Sequence, residues 1–424
     1  MAKRKHFLKI LALLTVLVLA ILPLAACGDA VEESNVITIG AIAPLSGGMS
    51  TYGRDMINAF RLAVADINAD GGVLGRQLAL IDEDDGGDPN TSTLAANRII
   101  SRGVDFVAGG YASGVTIPTM QLFTDAGLLF LIANANSTEI TAQGLENCFM
   151  VNSPGTHQVL KLIDLLDYVG ANSVALIHQG CAYTKNLADL CAEFLPGAGF
   201  DIATVQVMEP NTPDVSAIVT AIRNTDADFV YWCGYHADGS NVIKQLRRGG
   251  FEGHIAVGDG SASFDLIEAC GPDGEGVFVT SPPYVGFSED GADFIARYTE
   301  MFGRDPGTYA TLSYDTIRLL AAAIEQAGTT DTAAVRNAVQ NIDFQGLSGQ
   351  IVFTADREPA ISNFIILQIS DGAFRKVDVG STQAAEAPAS GNPCEIECSR
   401  CTNNVNCHCH GHCDTEDCQC HTSH

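Results

Sequence analysis

The densest chemistry in the chain sits near its far end. Between residues 394 and 424 stand eight cysteines (Cys394, Cys398, Cys401, Cys407, Cys409, Cys413, Cys418, Cys420) and five histidines (His408, His410, His412, His421, His424). Their spacing includes a Cys-x-x-Cys and two Cys-x-Cys units, and only Ile396 and Val405 are clearly apolar. Without a hydrophobic core, order there must come from cross-links. Thiolates and imidazoles this close can share soft ions, so Zn or Cu(I) is the expected guest. Disulfides are the rival in an oxidising compartment, and a disordered tail with no role is the third reading.

A second set of candidates is spread through the body, past the ends of short apolar runs. Gly110-Tyr111-Ala112-Ser113-Gly114 brings a hydroxyl and backbone N–H groups to a helix start, which suits a carboxylate. The alternative for Ser113 is a helix cap. Asn134-Ala135-Asn136-Ser137-Thr138 offers amides and backbone groups, and Tyr183 and Tyr235 offer aromatic walls. Asp259 stands between Gly258 and Gly260, as a site carboxylate or a simple turn. Together these supply donors for a carboxylate, an acid for an ammonium and an apolar wall. That is the complement a zwitterionic amino acid requires.

Other constellations are weaker. The run Asp82-Glu83-Asp84-Asp85-Gly86-Gly87-Asp88 resembles a calcium loop but lacks the later bidentate glutamate, so it reads as a solvated acidic turn. His178, Cys181, Cys233 and His236 lack the flanks of a nucleophile site. Cys181 and Cys191 are a candidate disulfide. No glycine-rich phosphate loop has the right flanks. The chain is therefore expected not to be an enzyme, and the body is expected to need no cofactor. A sensor subunit with the same fold is the other rival.

These groups need elements to hold them. Strands are expected at 36–43, 77–82, 105–109, 128–133, 173–178, 202–208, 228–233, 255–258 and 276–280, alternating with helices at 54–69, 91–102, 115–126, 156–168, 184–195, 214–223 and 239–248. Helices at 289–302, 309–327 and 331–341 follow, then strands near 350–353 and 363–369 and a hairpin through Asp371-Gly372. Such alternation gives an α/β fold with parallel sheets covered on both faces. The units are too many for one sheet, so two doubly wound parallel-sheet lobes are expected. Ligands bind such sheets past the carboxyl ends of their strands.

The N-terminus fixes the compartment. Lys3, Arg4, Lys5 and Lys9 precede or open an apolar stretch from Phe7 to Leu22, and Leu24-Ala25-Ala26-Cys27 follows. That order marks a secretory signal, and the last four residues resemble the bacterial lipoprotein box, which implies acylation of Cys27. A lipid-anchored, extracytoplasmic protein of the bacterial cell envelope is expected. Loss of residues 1–26 leaves 19 Lys+Arg against 50 Asp+Glu, a net charge of −31. Such acidity argues against nucleic acid or an anionic membrane surface as a partner. No second stretch is apolar enough to span a bilayer, so a soluble body is expected.

A family resemblance adds to this reading. Tyr52-Gly53-Arg54, the run from Ala65 to Gly75, and Asp84-Asp85-Gly86-Gly87-Asp88-Pro89 resemble the leucine/isoleucine/valine-binding proteins of ABC importers. So do Phe229-Val230-Tyr231 through Gly234-Tyr235-His236, and Tyr314-Asp315 opening a long helix. The likeness runs from about residue 36 to 380. It implies a type I periplasmic binding protein fold with a three-strand hinge near 153–156, 282–285 and 345–350. It also implies a pocket built from Tyr52, Ser113, Asn134, Ala135, Asn136, Tyr183, Tyr235 and Asp259, and a permease as partner. Asn136 replaces the family's hydroxyl residue, and Asp259 replaces its usual glutamate. Relatives take branched-chain or other amino acids, amides, urea or aromatic acids. The resulting plan has a signal peptide at 1–26 and a tether at 27–35. One lobe comprises 36–154 and 284–347, and the other 155–283 and 348–380. A linker at 381–393 leads to the metal-binding tail at 394–424.

Overall fold

The computed structural model of the chain describes residues 35–288 and 291–380. Cys27 and every cysteine and histidine of the tail lie outside these residues.

Two sheets carry the body. The first joins β1 (Val36–Ala43), β2 (Gln77–Asp84), β3 (Phe106–Gly109), β4 (Leu129–Ile132) and β5 (Cys148–Met150) in the order β2-β1-β3-β4-β5, all parallel. On β1, Ile37, Ile39, Ala41 and Ala43 face one core while Ile42 enters the opposite one. This two-sided apolar pattern requires cover on both faces. Phe60 of α1 (Ser50–Ala69) and Leu320 of α11 (Ala310–Ala327) lie in the first core, with Val335 of α12 (Thr332–Gln340). Ile99 of α2 (Pro89–Ser101) and Phe123 of α3 (Ser113–Asp125) lie in the second.

The other sheet contains β6 (Ser173–His178), β7 (Asp201–Val207), β8 (Phe229–Cys233), β9 (His254–Val257) and β10 (Phe278–Ser281), which are parallel. β13 (Ile365–Ser370) and β14 (Ala373–Val377) extend it antiparallel, giving the order β14-β13-β10-β9-β8-β6-β7. The expectation of a wholly parallel second sheet is thus corrected. Its last two strands form a hairpin through Asp371 and Gly372, whose φ angles of 52° and 70° suit a two-residue hairpin turn. Val230 and Trp232 of β8 face the core under α8 (His236–Arg248), and Phe229, Tyr231 and Cys233 face the core under α5 (Gly155–Val169) and α6 (Ala182–Gly197).

The chain passes between the sheets three times. The first passage follows β5, and the second runs through Pro282-Pro283 after β10. The third does not lie at 345–350. There β11 (Phe344–Gly346) and β12 (Gly349–Ile351) form a small hairpin, held where Asp315 of α11 accepts from Ser348 N at 2.7 Å and Leu347 N at 3.1 Å. Ile351 belongs to the first lobe's core, so the chain leaves that lobe later. Around 361–364 it runs beside the first passage: Ser153 Oγ donates to Ile361 O, and Asn363 N donates to Ser153 Oγ, both at 3.3 Å.

The topology decides where a ligand can sit. Strand order reverses between β1 and β3 in one sheet and between β6 and β8 in the other. Crevices open past the carboxyl ends of strands at such points. Both crevices face the same cleft between the lobes.

Candidate functional site

Asp259 lies past the end of β9 and is 1% exposed. Its glycine neighbours are required by packing. A Cβ on Gly258 would stand 2.7 Å from Tyr183 Oη, and one on Gly260 would stand 2.7 Å from Tyr183 Cε1. The carboxylate is held from both lobes. Tyr183, at the start of α6, donates to Oδ1 at 2.6 Å. Asn136, past the end of β4, donates to Oδ2 at 3.0 Å, and Asn152, past β5, reaches the same oxygen at 3.4 Å. Burial pushes the Asp259 carboxyl up to about 6, and these hydrogen bonds restrain the rise.

Opposite lies an aromatic cluster. Gly109 ends β3 and Gly110 follows it, with φ angles of 141° and 83°; a Cβ on Gly109 would meet Ile42 O at 2.0 Å. Only glycine lets the chain turn there and present Tyr111. Tyr111 stacks on Tyr52 with centroids 4.6 Å apart, and Tyr309 stands edge-on to both rings. Tyr235 lies between Tyr111 and Tyr183, at 6.2 Å and 5.5 Å. The hydroxyls tie the lobes together: Tyr52 donates to Gly260 O at 3.1 Å and Tyr309 donates to Asp259 O at 2.7 Å.

Between these groups is a chamber of about 10 Å³, lined by Tyr111, Asn134, Asn136, Tyr183, Tyr235, Asp259 and their neighbours Gly260 and Tyr309. That is room for about one water molecule. On the other side of Tyr235 a larger interlobe groove of about 390 Å³ opens, with Met49, Pro89 and Val115 on one wall and Cys181, Asn211 and His236 on the other.

The structure therefore brings Asn134, Asn136, Tyr183, Tyr235 and Asp259 to one chamber, with Tyr52 stacked behind it. Ser113 and Ala135 are placed differently. Ser113 is the first residue of α3 rather than its cap, a position taken by Ala112, and Ser113 Oγ accepts from Ser137 N at 3.2 Å. The side chain of Ala135 packs in the core beneath α2 and α3. Tyr111, Asn152 and Tyr309 were not anticipated, nor was Gln158, whose Oε1 faces Asn136 Nδ2 at 3.5 Å. Tyr111 was nevertheless visible within the 110–114 run, whereas Asn152 follows a three-residue strand that leaves almost no pattern.

The acidic run is explained by protein partners. Glu83 pairs with Arg98 and Arg102, at 2.6 and 2.8 Å, Asp84 accepts from Leu45 N, and Asp88 caps α2. Among the described residues no cluster of His, Cys, Asp and Glu is arranged to hold a metal. Cys181 and Cys191 are not bridged, contrary to the candidate pairing. Cys181 caps α6 and Cys191 lies ten residues further, about 15 Å along the axis, beyond disulfide reach. Cys191 instead lies against Cys233.

Comparison with known proteins agrees with this geometry. A family model described as periplasmic binding protein matches residues 36–373. The Leu/Ile/Val-binding protein BraC3 of Rhizobium johnstonii is 31% identical over 312 residues, covering 72% of this chain and 83% of that protein. Leu/Ile/Val-binding protein homolog 2 of Brucella abortus is 28% identical over 338 residues, 79% of this chain and 91% of its own length. A leucine-binding protein LivK from Thermotoga maritima superposes with a TM-score of 0.74 at 23% identity, over 80% of this chain and 97% of that one. The fold and the relatives are those of solute-binding proteins rather than enzymes. The chain belongs to the periplasmic binding protein family and is a homologue of its Leu/Ile/Val-binding members.

Proposed function

We propose that this chain is the extracytoplasmic receptor of an ABC importer and delivers an amino-acid-like solute by closing its two lobes. The observation that carries the reading is the contact of Asn136, from one lobe, with the buried Asp259 carboxylate of the other. A buried carboxylate without a cation is costly, and a ligand ammonium offsets that cost only where both lobes surround it. Affinity is then greater for the closed form, which is the condition for a ligand to drive closure. Tyr52, Ser113, Asn134, Ala135, Asn136, Tyr183 and Tyr235 complete the proposed pocket, with Ser113 and Ala135 acting through their backbone and through the segment they support. The relatives' names point to branched-chain amino acids for those proteins. The three passages between lobes act as the hinge, and the closed face is what a permease recognises.

The proposal extends to both ends. Cys27 carries a lipid that holds the receptor at the membrane, and the 394–424 tail binds Zn or Cu(I) through its cysteines and histidines. Titration calorimetry of the mature protein with L-amino acids, amides and organic acids tests the receptor reading. Saturable binding of an amino acid, lost in Asp259→Ala, supports it; binding of acids alone refutes it. Cys27→Ser should move the protein from the membrane to the soluble fraction, and retention of that variant at the membrane would exclude the anchor.

A further inference from the structure

Two thiols of the second lobe meet in its core. Cys191 and Cys233 are both fully buried and belong to one apolar cluster. Cys191 lies on the stripe of α6 that also turns Thr184, Leu187, Ala188 and Leu195 inward, at the three- and four-residue spacing of a helix face. Cys233 ends β8, where Phe229, Tyr231 and Cys233 alternate onto the face that α6 covers. The helix stripe and the strand pleat thus bring the two side chains into contact. Both are thiols in this structure. Cys148 and Cys181 have other neighbours: Cys148 meets Thr124 Oγ1 at 3.8 Å and Met120 O at 3.9 Å, and Cys181 meets Thr184 Oγ1 at 3.3 Å.

The family is periplasmic, and an oxidising compartment favours a disulfide between thiols in contact. The place of the pair also matters to the site. Helix α6 opens with Tyr183, and β8 runs through Gly234 into Tyr235. A bond between residues 191 and 233 would therefore join the two elements that hold the second lobe's aromatic wall. The loop it closes contains β7, the edge of the sheet, whose Val205 and Val207 are 45% and 59% exposed. Such an edge strand is held from one side only, so a cross-link around it limits its fraying.

We propose that Cys191 and Cys233 form a disulfide once the chain has left the cytoplasm, and that this bond staples α6 to β8 behind the ligand site. One thiolate attacks an external disulfide, that of a thiol–disulfide oxidoreductase, and a mixed disulfide forms. The second thiolate then displaces the donor's sulfur. The pair gives up two protons and two electrons, and the donor leaves as a dithiol. Burial pushes the Cys233 thiol well above its ordinary range, so the folded lobe holds little thiolate and keeps the donor out. Oxidation therefore precedes closure of the core over the pair, and the finished bond is shielded from reductants. This goes beyond the receptor reading and is independent of which solute binds.

The test is peptide mapping of the mature protein after refolding in a mixture of oxidised and reduced glutathione. Free thiols are alkylated in denaturant, and the digest is read by mass spectrometry without reduction. The expected product is one cross-linked peptide pair holding Cys191 and Cys233, two hydrogens lighter than the separate thiol peptides. Alkylation of both cysteines, or a bridge from either to a different cysteine, overturns the proposal. Thermal melts supply a second readout. A thiol reductant should lower the wild-type melting temperature by about 5–10 °C and bring it to the level of the Cys191→Ala/Cys233→Ala double variant. That variant keeps the tail cysteines and should not respond to the reductant. A wild-type shift no larger than the double variant's overturns the proposal as well. The mapping needs only wild type, so a variant that fails to fold leaves the test intact.

Discussion

On the proposed role of Asp259 as partner of a ligand ammonium, ligand affinity should depend on pH in one direction. Burial raises its carboxyl to about 6 in the closed cleft. An ammonium binds the ionised form, so below that value each binding event must release a proton. With one controlling group at about 6, the ionised fraction falls from about nine-tenths at pH 7 to about one-tenth at pH 5. The dissociation constant should therefore rise about tenfold between those values, and stay nearly flat above pH 7. Asp259→Asn keeps the shape and removes the charge. It should bind at least about thirtyfold more weakly at pH 7 and show no slope, because the cation then meets a neutral partner. Calorimetry in two buffers of different ionisation enthalpy measures both the affinity and the proton released. Affinity that rises as pH falls would refute the reasoning, since it would mean that the protonated acid is the binding form and the ligand is an anion.

Other consequences follow from the same geometry. Asp85 is 3% exposed, accepts from Gly87 N at 2.8 Å, and is pushed up to about 6 mainly by burial. A folded pKa above the unfolded one gives stability that is present at low pH and lost as pH rises through about 6. Asp85→Asn should thus raise the melting temperature at pH 7.5 and flatten the wild-type loss between pH 4 and 6; an unchanged slope would show that other groups carry it. Trp232 is fully buried and donates to Tyr235 O at 3.2 Å, so Trp232→Ala should cost about 3–5 kcal/mol in chemical denaturation followed by circular dichroism. Gly260→Ala sets a methyl against the Tyr183 ring and should weaken ligand binding by more than about tenfold and also lower the melting temperature, read by calorimetry and thermal melts. Native mass spectrometry of the mature chain should show bound metal that a chelator removes without covalent change; a mass reduced by paired hydrogens would instead indicate disulfides.

Much of the fold was legible because its strands are buried on both faces. Runs such as Val36–Ala43 and Phe229–Cys233 carry apolar residues throughout, and the helices between them show one apolar stripe. Short elements left no such pattern: β5 has three residues and α9 (Phe264–Cys270) has seven. The closing hairpin through Asp371 and Gly372 was expected, but that it joins the second sheet and makes it mixed was not, because composition does not say which edge a hairpin extends. At the site, residues past strand ends were found from topology, and Tyr309 escaped because it opens a helix rather than ending a strand. The buried Oδ1 of Asn134, which has no hydrogen-bond partner, was out of reach altogether. Its orientation depends on Ser313, 179 residues away, and the partner of Asp259 at Asn136 is 123 residues distant.

The central claim is that Asp259 receives a ligand ammonium between the closing lobes. Titrating the mature protein with a matched pair, L-leucine and isocaproate, tests it most directly, because the two differ only in the amine. The account predicts saturable binding of leucine and binding of isocaproate at least about a hundredfold weaker. Equal or tighter binding of isocaproate would contradict it.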